Sequence, residues 1–264
     1  MKASSQKLYS VLAGLTLALL SSAPSALERP FEIERLGNFD SPWALEFLPD
    51  GRVLVSEMSG NLKLLDKDGR FLGNVSGMPK VAYGGQGGLG EIALHPSFEK
   101  NNLVYISFAE TGEDDTYGAA IIRAKLNLSE DGGSLSSVET IWKQYPKVSG
   151  QGHFGHRITF DEAGYLWISS GERQKFDPAQ DMSSNLGKII RLNDDGSIPA
   201  DNPFFFGEGI TRELWSLGHR NPLGLAFDTD GRLWTVEMGP KDGDELNLVR
   251  RGANYGYPTV SNGD

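Results

Sequence analysis

Short apolar runs separated by turn residues recur along this chain in a constant order. The first unit, near Pro42, has an apolar strand, a turn at Pro49-Asp50-Gly51, a second strand, a turn at Ser59-Gly60 and a third strand. The same order returns in GGLGEIALHPSFEKNNLVYISFAE, in GHRITFDEAGYLWISSGE with GKIIRLNDDG, and in NPLGLAFDTDGRLWTVEMGP with DELNLVRRG. Because no segment after residue 26 keeps a 3.6-residue apolar period over three turns, the pattern predicts small antiparallel sheets and no long helix.

Sheets of this kind need partners, because a small sheet cannot bury both of its faces alone. Radial stacking into a β-propeller buries them, and it keeps the internal order of each unit while the connecting loops vary. The 33 glycines and 13 prolines agree with many tight turns. We therefore predict an all-β propeller domain over residues 27–264, with a meandering β-sandwich as the alternative.

Residues 1–26 have the pattern of a secretory signal peptide. A start with two lysines precedes an apolar run from Leu8 to Leu20, and small residues follow. The run is shorter than the roughly 20 residues that a membrane-spanning helix needs. The sequence thus predicts cleavage near Ala23 or Ala26, a periplasmic or secreted protein, and no membrane insertion of the mature chain.

Composition narrows the partners. The chain has no cysteine, so an exported form cannot rely on disulfides and must gain its stability from burial or bound metal. Its net charge of −10 repels phosphate backbones and argues against nucleic acid as a partner. The same charge is compatible with cation binding.

Four polar clusters lie next to predicted strands, where the loops of a propeller converge on its central channel. They are a glycine run at 84–90, a histidine pair at 152–157, an arginine with an amide at 218–222, and an acidic loop at 238–245. The glycine run favours a tight turn, because the lysine and helix of a phosphate-binding loop do not follow it.

The histidine pair allows three interpretations. A zinc site would need a further ligand nearby, and residues three apart at the start of a strand face opposite ways. A single histidine acting as general base fits better, since its ordinary pKa suits proton abstraction at neutral pH. A purely structural histidine is the remaining alternative.

The other two clusters suit anions and cations respectively. Arg220 beside Asn221 offers planar donors for carboxylates or a developing oxyanion, unless both are simply solvated. Asp242, Asp244 and Glu245 are hard oxygen ligands that suit calcium. Their loop lacks the spacing of an EF-hand, so a plain acidic turn is the alternative.

From about Pro42 to its last residue, the chain resembles the soluble glucose/sorbosone dehydrogenases, and most nearly their aldose sugar dehydrogenase branch. The resemblance is carried, in this order, by GGQGGLGEIALHPSF, HFGHRITF, GKIIRLNDDGSIPADNPF, LGHRNPLGLAF and EMGPKDGDELNLVRRGANYGYP. It implies a six-bladed β-propeller, about four blades of which lie in this chain. It also implies an oxidoreductase that uses pyrroloquinoline quinone (PQQ) and calcium to oxidise the anomeric hydroxyl of aldose sugars to lactones by hydride transfer. The electron acceptor is unknown.

The resemblance implies roles for individual residues. His153 takes the proton of the anomeric hydroxyl, and Glu172 is its acidic partner. Gln86 contacts the sugar or the edge of the cofactor, while Arg220 and Asn221 hold the carbonyl and carboxylate oxygens of the quinone.

By the same resemblance, the backbone carbonyls of Gly239 and Pro240 bind the calcium that bridges to the quinone. Asp244 lines the same rim of the cofactor site. Glu245 and the backbone of Tyr255 match a second, structural calcium position.

The chain departs from that family's pattern in two respects. Met238 and Gly152 replace polar residues of the glucose-specific branch, so sugar preference does not carry over. Members of the family also continue well beyond residue 264, and an open arc of blades would leave two sheet faces and one sheet edge exposed to solvent. We therefore expect a longer protein, called here the complete parent, and expect the 264-residue chain alone not to turn over sugar.

Two other functions fit a propeller of this kind. A non-catalytic periplasmic propeller would bind sugar or a protein, but it would not need a base, His153, beside the cationic clamp formed by Arg220 and Asn221. A calcium-dependent lactonase would need more inward carboxylates than these loops offer.

Overall fold

The structure, a computed structural model, describes residues 31–261. Leu36–Asp264 forms one compact unit; Met1–Arg35 is assigned to another, whose described residues 31–35 contain no helix or strand. The predicted signal peptide, residues 1–26, lies outside the described residues. Between residues 31 and 261, no helix is long and apolar enough to cross a membrane.

The first sheet consists of two antiparallel meanders. Its strands are β1 (Pro42–Phe47), β2 (Val53–Glu57), β3 (Asn61–Leu65), β4 (Phe71–Ser76), β5 (Leu89–Leu94), β6 (Leu103–Thr111), β7 (Thr116–Ser129), β8 (Gly132–Lys143) and β9 (Val148–Ser149). The strands follow the order β1-β2-β3-β4-β8-β7-β6-β5, with β9 beside β7. The meanders join where β4 runs parallel to β8 over Val75 and Ser76.

Two further meanders form separate sheets. Their strands are β10 (Gly155–Phe160), β11 (Leu166–Ser170), β12 (Lys188–Leu192) and β13 (Leu214–Leu217), then β14 (Pro222–Phe227), β15 (Leu233–Glu237) and β16 (Glu245–Leu248). Each predicted repeat thus forms one antiparallel meander, which confirms the repeat pattern. The helices described are short: α1 (Phe98–Asn101) and the 3-10 helices Asp177–Ala179 and Gly209–Glu213.

The predicted turn between β1 and β2 shows why the hairpins form. Gly51 has a φ of +88°, a conformation that glycine adopts without strain, and its N–H donates to the carbonyl of Leu48 at 2.9 Å. The side chain of Asp50 accepts the N–H of Arg52 at 3.0 Å. Together these bonds fix the register in which Phe47 faces Val53.

Three apolar cores lie between consecutive meanders rather than within them. Each core combines buried side chains from two neighbouring units. Burying one such side chain stabilises the fold by about 1.5–3 kcal/mol relative to leaving it exposed, so the shared cores hold the meanders together. Residues from the two sides of the successive cores are Leu54 and Ile106, Ile121 and Ile168, and Ile189 and Leu233.

The first strands of the meanders lie side by side around a common axis. β1 contacts β5, β5 contacts β10, and β10 contacts β14. In an antiparallel hairpin, the residues before the first strand and those after the second lie at the same end. The segments before β5, β10 and β14 therefore meet the ends of β11 and β15 at one end of the axis, which is where the predicted site residues lie.

A buried carboxyl group links the second and third meanders. Glu213 Oε1 accepts hydrogen bonds from Trp142 Nε1 at 3.0 Å and Asn185 Nδ2 at 2.7 Å. Burial raises the pKa of Glu213 from about 4.5 to about 7, against the opposing effect of these two bonds. Between these values the folded chain holds a proton that the unfolded chain has released. The free energy of unfolding therefore contains a contribution that is present below pH 4.5 and is lost as the pH rises to 7.

Replacing Glu213 with Gln should remove this dependence, because an amide of the same shape keeps the acceptor oxygen without the charge. We expect the variant to be more stable than the wild type above pH 7, by about 1–3 kcal/mol, and no more stable at pH 4. Denaturant unfolding across pH 4–8 measures the difference. The exposed Glu208 supplies the control as Glu208→Gln, and equal pH profiles for Glu213→Gln and wild type would contradict the argument.

Candidate active site

The predicted base, His153, lies in the loop between β9 and β10. Its φ of +49° is uncommon for a residue with a side chain, and only 3% of its surface is exposed. The N–H of His153 donates to Gln86 Oε1 at 2.7 Å. Gln86, predicted to contact sugar or cofactor, therefore holds the backbone of the predicted base.

Arg173, which the sequence interpretation misses, fixes the same loop. Its guanidinium donates to the carbonyls of Gly152 at 2.8 Å, Tyr117 at 2.5 Å and Gly150 at 2.5 Å, and it lies 3.7 Å from the ring centroid of Phe154. Burial lowers the pKa of Arg173 to about 10, although the charge of Glu172 opposes the change. The side chain thus stays charged at neutral pH and holds three backbone oxygens in place.

His153 and Glu172 form a buried pair, as the resemblance implies. His153 Nδ1 lies 2.5 Å from Glu172 Oε1, while Oε2 accepts the N–H groups of Lys175 at 2.5 Å and Phe176 at 2.8 Å. Burial alone would raise the pKa of Glu172, but the bond from His153 and the backbone N–H groups outweigh it and hold the pKa below its ordinary value. The carboxylate is therefore ionised at neutral pH.

This pairing selects the reactive atom of the imidazole. An ionised carboxylate only accepts hydrogen bonds, so Nδ1 of His153 carries the proton and Nε2 has the free lone pair. Nε2 makes no hydrogen bond with residues 31–261. The pair can thus accept a proton at Nε2 while Glu172 stabilises the imidazolium that forms.

Arg220 is attached to this pair through its backbone. The N–H of Glu172 donates to the carbonyl of Arg220 at 2.9 Å. The Nη1 of Arg220 donates to the carbonyls of Met238 at 2.7 Å and Gly239 at 3.1 Å. Its Nε is buried and lacks a hydrogen-bond partner within the described part of the chain.

Asn221 lines a pocket at the axis and has unused hydrogen-bonding capacity. The residue is 1% exposed, and neither Nδ2 nor Oδ1 has a partner among residues 31–261. Leaving such a group buried and unpaired costs about 1–3 kcal/mol, so it marks a place where a water or ligand completes the bonding. The pocket holds about 270 Å³ and takes its walls from all four meanders, for example Trp43, Gln86, Phe154, Asn221 and Met238.

His156 lines the same pocket but bonds differently from His153. Its ring stacks on Trp43 with centroids 5.5 Å apart, and Nδ1 lies 2.8 Å from Ser107 Oγ. Burial lowers the pKa of His156 to about 3, helped by the charges of Arg157 and Arg173, so the ring is neutral. His153 and His156 thus have separate partners, and in the described part of the chain no three His, Cys, Asp or Glu side chains form a group that could hold a metal ion.

The acidic loop provides oxygen donors but no preformed cage. The carbonyl of Gly239 accepts from Arg220, that of Pro240 accepts the N–H of Gly243 at 3.0 Å, and Asp244 Oδ1 accepts the N–H of Gly239 at 2.9 Å. Carbonyl and carboxylate oxygens are the donors that calcium prefers, so the chemistry fits. Before a cation could bind to the Gly239 carbonyl, however, the guanidinium of Arg220 would have to move away.

The two residues predicted for a second calcium position lie on opposite sides of a hydrogen-bonded group. Glu245 Oε2 accepts from Asn247 at 2.8 Å, and Asn247 also donates to Glu237 at 3.2 Å. Tyr255 stacks on His219 with ring centroids 4.5 Å apart. His219 and Glu237, to which neither the residue patterns nor the resemblance assigns a role, lie between them as a bonded pair.

Comparison with known proteins identifies the class to which this fold and site belong. The model of the glucose/sorbosone dehydrogenase family matches residues 39–264. The chain is 39% identical over 248 residues to aldose sugar dehydrogenase YliI of Escherichia coli K12, covering 93% of this chain and 66% of that protein. It is 31% identical to quinoprotein glucose dehydrogenase B of Acinetobacter calcoaceticus, covering 86% and 52% of the two chains. The chain therefore belongs to the glucose/sorbosone dehydrogenase family.

Solved structures agree with this assignment. The PQQ-bound aldose sugar dehydrogenase of Streptomyces coelicolor matches with a TM-score of 0.73 and 35% identity, covering 84% of this chain and 64% of that one. Structural neighbours of this kind are β-propellers, which confirms the predicted all-β propeller. The chain spans between 52% and 66% of the length of these relatives. The total of six blades stays a prediction.

Proposed function

We propose that the complete parent oxidises the anomeric hydroxyl of an aldose to the corresponding lactone, with PQQ as hydride acceptor and calcium as a required ion. The observation that carries the proposal is the buried His153–Glu172 pair, whose backbone bonds directly to Arg220 beside the unpartnered Asn221. A dehydrogenase of this kind requires a base, here His153, in contact with a cation and an amide that can hold the cofactor, here Arg220 and Asn221.

The chemistry at the base follows from the tautomer of His153. Its Nε2 takes the proton of the anomeric hydroxyl as the C–O bond of the sugar becomes a carbonyl and the C–H bond releases its hydride. Glu172 accepts the Nδ1–H bond throughout and stabilises the positive charge that develops on the ring. Gln86 and Arg173 keep the loop of His153 fixed, so that Nε2 holds one position during the transfer.

The residues of the clamp suit a planar, carboxylate-bearing quinone. Among residues 31–261, Arg220 Nε and Asn221 Nδ2 are buried donors without partners, so they are available to the oxygens of such a group. When bound, the quinone supplies the acceptor for the hydride. Calcium would be held by the carbonyls of Gly239 and Pro240, with Asp244 on the rim, once Arg220 turns from the first carbonyl toward the quinone.

We place this reaction in the periplasm or outside the cell, because a signal-peptide pattern precedes the propeller sequence. N-terminal sequencing of the exported protein tests this, and retention of residues 1–26 would contradict it.

Titration of PQQ into the purified chain, followed by absorbance, tests the proposed cofactor. We expect saturable binding in the presence of calcium and binding at least tenfold weaker in EDTA, because the cation would neutralise the quinone and free Arg220 from the Gly239 carbonyl. A chain with a substitution at the exposed Glu208, such as Glu208→Gln, should bind as the wild type does. If PQQ does not bind under either condition, a propeller that binds sugar or protein becomes the better reading.

A further inference from the structure

We propose that the buried pair His219–Glu237 is a positioning device for Arg220, setting the height and direction of the cationic clamp. The role rests on the proposed function. Neither residue lines the pocket, so both act through Arg220 and are positioning residues.

The carboxylate of Glu237 bonds to three neighbours, of which Asn247 donates to Oε1 at 3.2 Å. Its Oε1 pairs with Nδ1 of His219, and its Oε2 accepts the N–H of Arg220 at 2.9 Å. Both side chains are almost completely buried, at 0% exposure for His219 and 3% for Glu237. A buried carboxylate with all its bonds satisfied is rigid, so the amide of Arg220 inherits a fixed position.

The peptide of Arg220 is held from its other side by the first histidine pair. Its carbonyl accepts the N–H of Glu172, the partner of His153, at 2.9 Å. Two buried His–Glu pairs thus hold one residue, through its N–H on one side and its C=O on the other. The distance between the predicted base and the clamp is set by these two bonds.

Glu237 also controls the far end of the arginine side chain. It is the last residue of β15, and the next two carbonyls along the chain, those of Met238 and Gly239, accept the Nη1 of Arg220. The N–H of Met238 in turn donates to the carbonyl of Asn221 at 3.1 Å. A displacement of Glu237 would therefore move both the backbone and the guanidinium of Arg220.

A hydrolytic function for this pair is excluded by burial. His219 Nε2 lies 2.8 Å from Ser216 Oγ, so serine, histidine and glutamate are connected in the order of a hydrolase triad. Ser216 and His219 are both 0% exposed, and Tyr255 covers the imidazole. No substrate could reach this serine, whereas a positioning role needs no access.

The first meander contains the same device without a histidine, and it supplies an internal comparison. Glu57 ends β2 and accepts the N–H of Asp40 at 2.7 Å, as Glu237 ends β15 and accepts that of Arg220. Its charged partner is Lys63, whose Nζ lies 2.6 Å away. Glu57→Gln therefore makes the same chemical change to an equivalent bond, without Arg220.

The test compares Glu237→Gln with Glu57→Gln in the full chain by PQQ titration and by unfolding. An amide at 237 has one acceptor oxygen, which can serve either the Arg220 N–H or the donors on the Oε1 side, Nδ1 of His219 and Nδ2 of Asn247, but not both. We therefore expect PQQ binding about tenfold to hundredfold weaker. Glu57→Gln should lower the free energy of unfolding about as much as Glu237→Gln does, while leaving PQQ binding unchanged. Equal PQQ affinity in Glu237→Gln and wild type would overturn the proposal.

Conservative variants of His219 separate positioning from folding. An asparagine amide can replace the Nδ1–H donor to Glu237, so His219→Asn should retain most of the PQQ affinity, while His219→Leu should lose it. In the complete parent, His219→Leu should raise the PQQ concentration needed for half-maximal activity and lower kcat, with the KM for sugar unchanged. If both His219 variants bind PQQ equally well, the pair does not position the clamp.

Hydrogen exchange at the Arg220 amide distinguishes this proposal from the proposed function. Glu237→Gln should speed that exchange at least tenfold and leave the Asp40 amide unaffected, and Glu57→Gln should do the reverse. If the wild type does not bind PQQ, the proposed function fails, and the exchange rates still decide whether Glu237 holds Arg220. Unchanged exchange at Arg220 refutes the positioning role.

Discussion

A His153→Gln variant of the complete parent is expected to oxidise aldoses about a thousandfold more slowly than the wild type, because general-base catalysis contributes about 10²–10⁴ in rate. Glutamine keeps a polar group near the place of Nε2 but has no basic lone pair there. Quinone binding should change by less than threefold, since His153 contacts Gln86 and Glu172 and not the Arg220 side chain. Turnover is measured with an electron-accepting dye, and binding by absorbance titration.

Two further variants give this result its meaning. The rate of aldose oxidation by Glu172→Gln should lie between the rates of wild type and His153→Gln, because the amide no longer stabilises the imidazolium but leaves Nε2 in place. His95→Gln is the matched histidine control, since His95 pairs with Asp194 away from the pocket and should leave turnover unchanged. A His153→Gln enzyme that loses quinone binding together with turnover would indicate a structural histidine.

Replacing Gly171 with Ala is expected to cost about 3 kcal/mol or more of stability and to abolish quinone binding. A Cβ at this position would lie 2.1 Å from the carbonyl of His153 and 2.9 Å from Oδ1 of Asn221. The first contact is with backbone, which cannot swing aside as a flexible side chain can. The chain must therefore move apart between the predicted base and the clamp.

Denaturant unfolding and PQQ titration measure the two effects of Gly171→Ala. Gly37→Ala is the control, because its Cβ would meet only the ring of Phe39 at an ordinary 3.6 Å. That variant should unfold within about 0.5 kcal/mol of the wild type. Normal stability and normal PQQ affinity in Gly171→Ala would mean that the loop of His153 does not lie so close.

The strands and their order follow from the sequence because their signals are local. Turn residues and apolar runs mark each meander, and the four repeats are found where the pattern predicts them. The pattern does not predict the pairing of β4 with β8, since a parallel contact between distant segments has no local signature. The long hairpin of β7 and β8, strands of 14 and 12 residues, is likewise absent from the repeat pattern.

The residues of the candidate site show the same difference between local signals, which the sequence reveals, and long-range contacts, which it does not. His153, Arg220 and Asn221 lie in sequence motifs and Glu172 is implied by the resemblance; the structure bonds His153, Glu172 and Arg220 to one another, with Asn221 next in the chain. The partners that hold them are missed, because Glu237 is 18 residues from His219 and only the hairpin between them closes the distance.

Arg173 and Gln86 show a second limit of the sequence. Both bond to the backbone of the loop before β10, and a backbone oxygen or N–H carries no residue type that a motif could mark. Gln86 lines the pocket and its predicted contact with sugar or cofactor stays a prediction; the sequence does not show that its Oε1 also holds the N–H of His153.

The pocket at the axis takes its walls from all four meanders, whereas each apolar core is shared by two neighbouring meanders. A molecule in that pocket would touch every sheet at once, whereas each core touches two. Folding and the binding of a ligand in this pocket are then linked equilibria, so the apparent stability of the chain depends on the free concentration of that ligand.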